Sequence, residues 1–207
     1  MEQFETEEQQ VEAIKRFWKE NGTALIVGAV LGLGGLYGWR YYNDSQIENK
    51  EQASIAFEKA STELLDSEQG FSQAKTYIDT HSDTGYSLLM ALELAKKAID
   101  SKDLPEAAKQ LEFVAANTQV SAVKSVAQVR LARVQLEQGD LDAALATAEK
   151  IEDEAFSGAS HEIKGDVYQA QELFDKARAA YSAALEGNER NPVLKMKLDN
   201  LAILANG

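Results

Sequence analysis

The chain has 207 residues, of which 44% are hydrophobic and 27% charged, and this composition excludes wholesale disorder. Its length allows one main folded domain and a smaller additional part. There is no cysteine, which excludes disulfides, thiolate metal sites and cysteine nucleophiles. The net charge of −13 argues against nucleic acid as a partner, because phosphate binding needs a surplus of Lys and Arg on some surface.

The first twenty residues form a short segment with two possible roles. Six of them are glutamates, and Val11, Ile14, Phe17 and Trp18 form an apolar stripe beside Lys15 and Lys19. One interpretation is a helix that lies in the membrane interface. The other is a regulatory contact made by residues 1–20. The sequence leaves both open.

The next element is an apolar run that is long enough to cross a membrane. No charge occurs in the nineteen residues from Asn21 to Trp39, and as a helix they would extend roughly 28 Å, close to the ~30 Å hydrocarbon core of a bilayer. A cleaved signal peptide would need a short basic start and small residues at the end of the run, and neither is present. The sequence therefore predicts a transmembrane helix over residues 21–41, in contact with membrane lipid.

Charges beside the run predict its orientation. Lys15, Arg16 and Lys19 lie within eight positions before it, whereas only Arg40 lies within eight positions after it. The positive-inside rule then favours a cytoplasmic N-terminus and an exported C-terminal part. When twenty residues on each side of the run are counted, both sides have three basic residues. The charge difference is therefore confined to the residues next to the run.

Small residues recur on one face of the predicted transmembrane helix. Ala24, Gly28, Gly32 and Gly35 are separated by four, four and three positions, which brings them to the same side. Gly28 and Gly32 match the small-xxx-small pattern that lets two membrane helices approach closely. We therefore predict a partner-binding face at Gly28, Gly32 and Gly35. The alternative is that glycine is simply common in membrane helices.

Beyond Tyr42 the chain repeats a short phrase four times. In each copy a large apolar residue precedes an alanine by three positions, and another apolar residue follows four positions later. The alanines are 33, 37 and 33 residues apart, at Ala74, Ala107, Ala144 and Ala177. This period predicts an all-α solenoid of about four stacked helix pairs over residues 43–207, with each alanine at a helix crossing.

Two local signals support this solenoid. Gly139-Asp140 suits the end of one helix and the cap of the next, because glycine accepts a positive φ and aspartate caps a helix. After Pro192, an apolar stripe predicts a C-terminal helix that caps the stack. The stripe consists of Leu194, Leu198, Leu201 and Ala205.

The repeats resemble the tetratricopeptide repeat, most clearly in the fourth copy. That copy has Gly165, Tyr168, Ala177, Tyr181 and Ala184, followed by Asn191-Pro192. In such arrays the first helix of each pair lines a concave groove. The resemblance implies that the partner-binding side chains are Leu92, Lys96, Val129, Arg133, Asp166 and Gln169. Binding through another surface of these degenerate repeats is the alternative.

The sequence offers no catalytic constellation. His81 and His161 are the only histidines, and neither has a second ligand at a metal-binding spacing, so solvated surface positions are predicted. Serines lack the context of a nucleophile, and no glycine-rich loop precedes Lys-Ser or Lys-Thr. We therefore expect no enzymatic activity, no cofactor and no metal site.

Two stretches beside the apolar run are distinctive, namely Gln10 to Gly22 before it and the Gly-Trp-Arg-Tyr exit at Gly38 to Tyr41. Together with the apolar run and the repeats, they make the whole chain resemble the YfgM family, whose members are ancillary subunits of the SecYEG translocon in the inner membrane of Gram-negative bacteria. The resemblance implies a single-pass inner-membrane protein. Its N-terminus, with any regulatory contact made by residues 1–20, would lie in the cytoplasm, and its tetratricopeptide-like domain in the periplasm.

The resemblance also implies partners and a function. The partners would be the SecYEG translocon and the membrane-anchored chaperone PpiD, and the protein would help to pass exported polypeptides to periplasmic chaperones. A second function class stays open, in which the membrane helix only tethers a scaffold of another periplasmic machine for envelope assembly or stress regulation.

Overall fold

The computed structural model describes residues 7–66, 69–82, 84–186 and 191–204, and within these ranges it contains helices and no β-strand. The predicted all-α fold class is confirmed. A short 3₁₀ turn occupies Glu154–Phe156. The α-helices are α1 Glu7–Asp66, α2 Gly70–Thr80, α3 Gly85–Asp100, α4 Leu104–Asn117, α5 Ser121–Glu137, α6 Leu141–Glu149, α7 Ser157–Ala170, α8 Phe174–Glu186 and α9 Pro192–Leu204.

Helix α1 contains the apolar run within a much longer helix. It is the one helix of the described ranges that is long and apolar enough to cross a membrane. The helix begins well before Asn21 and continues past Tyr41, so neither predicted boundary of the span is a helix end. The reason is that the charged flanks contain no proline and many good helix formers, so nothing in them ends the helix.

The chain divides into two compact units, Met1–Gln52 and Ala53–Gly207. In the first unit, every side chain from residue 43 to residue 52 is exposed. In the second unit, Ala53, Ala60 and Leu64 are buried. The packed repeat core thus begins ten residues later than the predicted start at residue 43.

The second unit consists of stacked helix pairs. The end of α1 packs with α2 in one apolar cluster, and the hydroxyl of Tyr77 on α2 donates to the carbonyl oxygen of Ala53 on α1 at 2.8 Å. The following pairs are α3 with α4, α5 with α6, and α7 with α8. Each pair also packs on the next pair along the chain. Leu111 of α4, for example, lies in a cluster with Leu131 and Val134 of α5. The prediction of four helix pairs is confirmed.

The four repeat alanines are all fully buried. Ala74, Ala107, Ala144 and Ala177 each have 0% exposure and lie near the start of the second helix of their pair. A small side chain is needed there because the axes of packed helices approach to ~8–10 Å. The spacing of the alanines therefore identified buried positions in the second helix of each pair, as expected for helix crossings.

We expect Ala144→Leu to destabilise the domain by about 1–3 kcal/mol, because the added atoms overpack a site without free volume. Ala146 lies on the same helix, has an exposed side chain, and should accept leucine with little change. Thermal unfolding of the two variants, followed by circular dichroism, measures the difference. Equal melting temperatures would contradict the assigned helix crossing.

Three turns between paired helices share one geometry with different residues. Gly139 has a φ of +81°, as predicted, but Lys102 and Glu172 occupy the same place with φ of +62° and +61°. In each turn the amide one position later donates to a carbonyl five residues back, as from Asp140 to Gln135 at 2.9 Å. Asp140 also caps α6 by accepting from the amide of Ala143 at 3.1 Å. The backbone geometry is thus constant where the sequence is not.

The predicted C-terminal cap is present as α9. Its Leu194 and Leu201 are buried against Tyr181 and Ala184 of α8, and Leu198 is partly buried in the same cluster. Ala205, the last residue of the predicted stripe, lies outside the described residues. The helix thus closes the apolar side of the fourth pair.

Candidate functional site

The glycine face of α1 is open. A Cβ atom built on Gly28, Gly32 or Gly35 would meet no atom within 4 Å, apart from the neighbouring backbone of the helix itself. The packing of this chain therefore does not explain why these three positions are glycine. Gly22 is different, because a Cβ there would lie 2.9 Å from Cε3 of Trp18, whose ring covers it. The face formed by Gly28, Gly32 and Gly35 is thus open in this structure.

The predicted groove residues of α3 and α5 have different surroundings. Lys96 is exposed, and Leu92 packs partly against the core. Val129 is only 7% exposed and lies in a core cluster with Ala132 and Ile163, so its side chain has little surface to offer a partner. This differs from the prediction, because the position that faces a groove in the repeat pattern here faces the neighbouring pair. Arg133 keeps 55% of its side chain exposed.

The predicted groove residues of α7 belong to a polar network within the chain. The hydroxyl of Tyr181 donates to Oδ1 of Asp166 at 2.7 Å and lies 2.9 Å from Oε1 of Gln169. Tyr181 itself is fully buried. Its burial and the adjacent Asp166 carboxylate raise the pKa of the Tyr181 hydroxyl, so this group stays protonated and acts as a donor.

Lys197 of α9 completes this network and was not predicted from the sequence. Its Nζ atom lies 2.6 and 2.8 Å from the two carboxylate oxygens of Asp166, and 2.8 Å from Oε1 of Glu162. Burial lowers the pKa of Lys197, but the hydrogen bonds to Asp166 and Glu162 outweigh it and raise that pKa overall. The ammonium is therefore held in its charged form.

Glu162 joins the network to the preceding pair. Its Oε2 atom lies 3.8 Å from an Nη atom of Arg133 on α5. The charges thus alternate from Arg133 to Glu162, then to Lys197 and Asp166. One signal could have revealed Glu162, because it follows Val129 by 33 residues, the period that also separates Ala144 from Ala177. No comparable signal points to Lys197, which lies beyond the last repeat.

The two halves of the predicted binding surface therefore differ. On α7, Asp166 and Gln169 already have partners inside the chain. On α3 and α5, Lys96 and Arg133 remain accessible to solvent. A partner would find an exposed cation at Lys96 and a half-exposed one at Arg133, which is also paired with Glu162, whereas the network on α7 is neutralised within the chain.

The histidines have structural surroundings. His81 stacks on the ring of Tyr77 with the ring centroids 4.4 Å apart, and both it and His161 are partly buried rather than fully solvated as predicted. Tyr77 and His81 stack because they are four residues apart, which brings their side chains to the same side of the helical turn. Within the described ranges, no group of three or more histidine, aspartate or glutamate side chains is placed to hold a metal ion.

Comparison with known proteins agrees with this architecture. The family model for a tetratricopeptide repeat-like domain matches residues 15–203. A relative from Escherichia coli (strain K12) is 35% identical over 98% of this chain and 100% of its own length. A relative from Haemophilus influenzae is 33% identical over 94% of this chain and 97% of its own.

A third relative, from Neisseria gonorrhoeae, is 33% identical over 94% of this chain and 97% of its own. All three are named as ancillary SecYEG translocon subunits. The matches include the apolar run as well as the helix pairs. The chain therefore belongs to the YfgM family of ancillary SecYEG translocon subunits, with a tetratricopeptide repeat-like domain.

Proposed function

We propose that this protein is a membrane-anchored adaptor that associates with the SecYEG translocon and carries out no chemical reaction itself. The observation that carries the proposal is full-length similarity to relatives named for that role, at 33–35% identity. The apolar run of α1 supplies the anchor. Its open face at Gly28, Gly32 and Gly35 supplies a surface on which another membrane helix can pack.

We place the N-terminus in the cytoplasm and the repeat domain in the periplasm of the inner membrane. The basic residues Lys15, Arg16 and Lys19 directly before the run support this orientation. The acidic repeat domain is also consistent with export, since acidic residues impose little constraint on which side of the membrane a long segment reaches.

Orientation can be tested with protease added outside intact spheroplasts. We expect the repeat domain after Tyr42 to be digested, because positive charge before the span keeps the N-terminus inside. A tag at the C-terminus, followed by immunoblotting, measures digestion, and a cytoplasmic protein of the same cells is the control. Survival of the tag until the membrane is opened would reverse the proposed orientation.

The proposed role in export extends to chaperones. The repeat domain would bring the membrane-anchored chaperone PpiD or periplasmic chaperones close to polypeptides that leave the translocon. The accessible side chains of Lys96 and Arg133 support a contact there, because helix-pair arrays bind proteins through the first helix of each pair. The chaperone contact also rests on the family resemblance.

The membrane contact can be tested by crosslinking inside the membrane. A photoreactive residue is placed in turn at every position from 24 to 38, and adducts with translocon subunits are identified by mass. We expect adducts at the positions of the glycine face and few on the opposite side, since one face packs on the partner. Adducts without helical periodicity, or with lipid alone, would favour a scaffold whose membrane helix is only a tether.

A further inference from the structure

The network on α7 has the form of a binding site for an ammonium group. Two carboxylates, those of Glu162 and Asp166, accept hydrogen bonds from Nζ of Lys197 at 2.6 to 2.8 Å. The face of the Tyr181 ring completes the site, with its centroid 5.5 Å from the same Nζ atom. These three residues are called the ammonium site below.

The three residues of the ammonium site belong to α7 and α8, which pack on each other. Both carboxylates project from α7, and Tyr181 belongs to α8, which packs closely on α7. Tyr181 fixes the Asp166 carboxylate through the hydroxyl contact of 2.7 Å. Only the cation comes from α9.

Helix α9 is held by a narrow set of contacts. Its apolar anchor consists of Leu194, Leu198 and Leu201 on the side that faces α8. On its other side Val193 and Met196 are 47% and 55% exposed. Among the described helices α9 packs mainly on α8, so its local opening breaks fewer contacts than opening a helix between two neighbours.

We propose that the ammonium site binds a lysine side chain of an exported polypeptide, and that Lys197 is a cis competitor that leaves the site when α9 separates. The chemistry selects a primary ammonium group, because three hydrogen-bond donors meet two carboxylates and the ring face. The identity of the partner as an exported polypeptide rests on the proposed function. The competition between Lys197 and another lysine does not depend on that function.

The test measures peptide binding by fluorescence anisotropy with the full-length protein in nonionic detergent. The probe is a fluorescein-labelled peptide of glycine and serine with one lysine, and its matched control carries an ε-acetylated lysine. Lys197→Ala should bind the lysine peptide about tenfold more tightly than the parent, because the cis competitor is gone. The acetylated peptide should not bind, and adding Glu162→Gln and Asp166→Asn should abolish binding.

Lys195→Ala is the matched variant, since it removes the same charge from the exposed side of the same helix. It should bind like the parent. If Lys197→Ala binds no better than Lys195→Ala, or binds the acetylated peptide equally well, the proposal is overturned. Because the readout is peptide affinity and not co-purification with the translocon, this result is independent of the membrane contact.

Two further measurements cover the case in which Lys197→Ala folds poorly. Lys197→Met keeps an unbranched stem beside Tyr181 without the charge, and should also bind the lysine peptide more tightly. Hydrogen exchange of the parent protein needs no substitution. A saturating concentration of the lysine peptide should speed exchange in α9 and leave α5 unchanged. Unchanged exchange in α9 at saturation would mean that Lys197 is a structural ion pair only.

Discussion

Replacing Gly28 and Gly32 together by leucine is expected to reduce co-purification with the translocon about tenfold, the change that corresponds to about 1.4 kcal/mol of binding free energy. Apolar side chains gain little by leaving lipid for protein, so association of membrane helices depends on close backbone approach. Leucine at both positions would hold the partner helix away. Nothing inside this chain would be disturbed, because the space around both glycines is open.

The variant should still insert and fold. Leucine makes the span more apolar and is a better helix former than glycine, by about 1 kcal/mol at each position. Membrane fractionation and circular dichroism of the purified protein check insertion and folding. Loss of co-purification would then report the helix contact and not a loss of protein.

Gly34→Leu is the matched control for this double variant. Gly34 is also surrounded by open space, but at 100° per residue it lies roughly a third of a turn or more from Gly28 and Gly32. Leu33→Ile is a second control on another face. Both should co-purify like the parent. If the double variant does so too, the apolar run only tethers the protein, and the contact lies on the repeats.

The second large effect is expected at Gly165, where alanine should destabilise the repeat domain by about 1–3 kcal/mol. A Cβ atom at this position would overlap Cδ1 and Cε1 of the Tyr181 ring. The ring is fully buried, and its hydroxyl is fixed by Asp166, so it has no free space to move into. The overlap outweighs the helix propensity that alanine gains over glycine, about 1 kcal/mol.

Gly158→Ala provides the same substitution on the same helix as a control. A Cβ at Gly158 would lie 3.6 Å from the carbonyl oxygen of Ala184, which is an ordinary contact. Thermal unfolding should therefore show a clear decrease in melting temperature for Gly165→Ala and little change for Gly158→Ala. Similar melting temperatures would contradict the close approach of α7 and α8.

The helix pairs could be predicted from sequence because a small residue is required wherever two helices cross. That requirement repeats with the period of the stack, so Ala74, Ala107, Ala144 and Ala177 mark it even where other repeat residues have diverged. The turn at Gly139 was predictable for a similar reason. The equivalent turns at Lys102 and Glu172 were not, because tertiary packing imposes a backbone conformation that those residues do not favour.

The surroundings of the candidate binding residues were harder to predict, because the repeat does not determine which side chains an exposed residue contacts. Asp166 lies on α7, and its partner Lys197 follows 31 residues later, on a helix outside the repeat pattern. Val129 was predicted to face the groove but is buried in a cluster with Ile163 of the next pair, because an apolar side chain finds more contacts there. In both cases the surroundings of the side chain depend on a residue that is distant in the sequence.

The left-handed turn residues affect how much stability this protein can still gain. Lys102 and Glu172 hold a conformation that costs a residue with a Cβ atom about 1 kcal/mol relative to glycine. The domain thus folds although two of these three turns have a residue with a Cβ atom where glycine would be more stable. Only the third turn has glycine, at Gly139. A glycine substitution at either turn would raise the stability of the domain. That gain could offset a destabilising change that is selected elsewhere for a new partner.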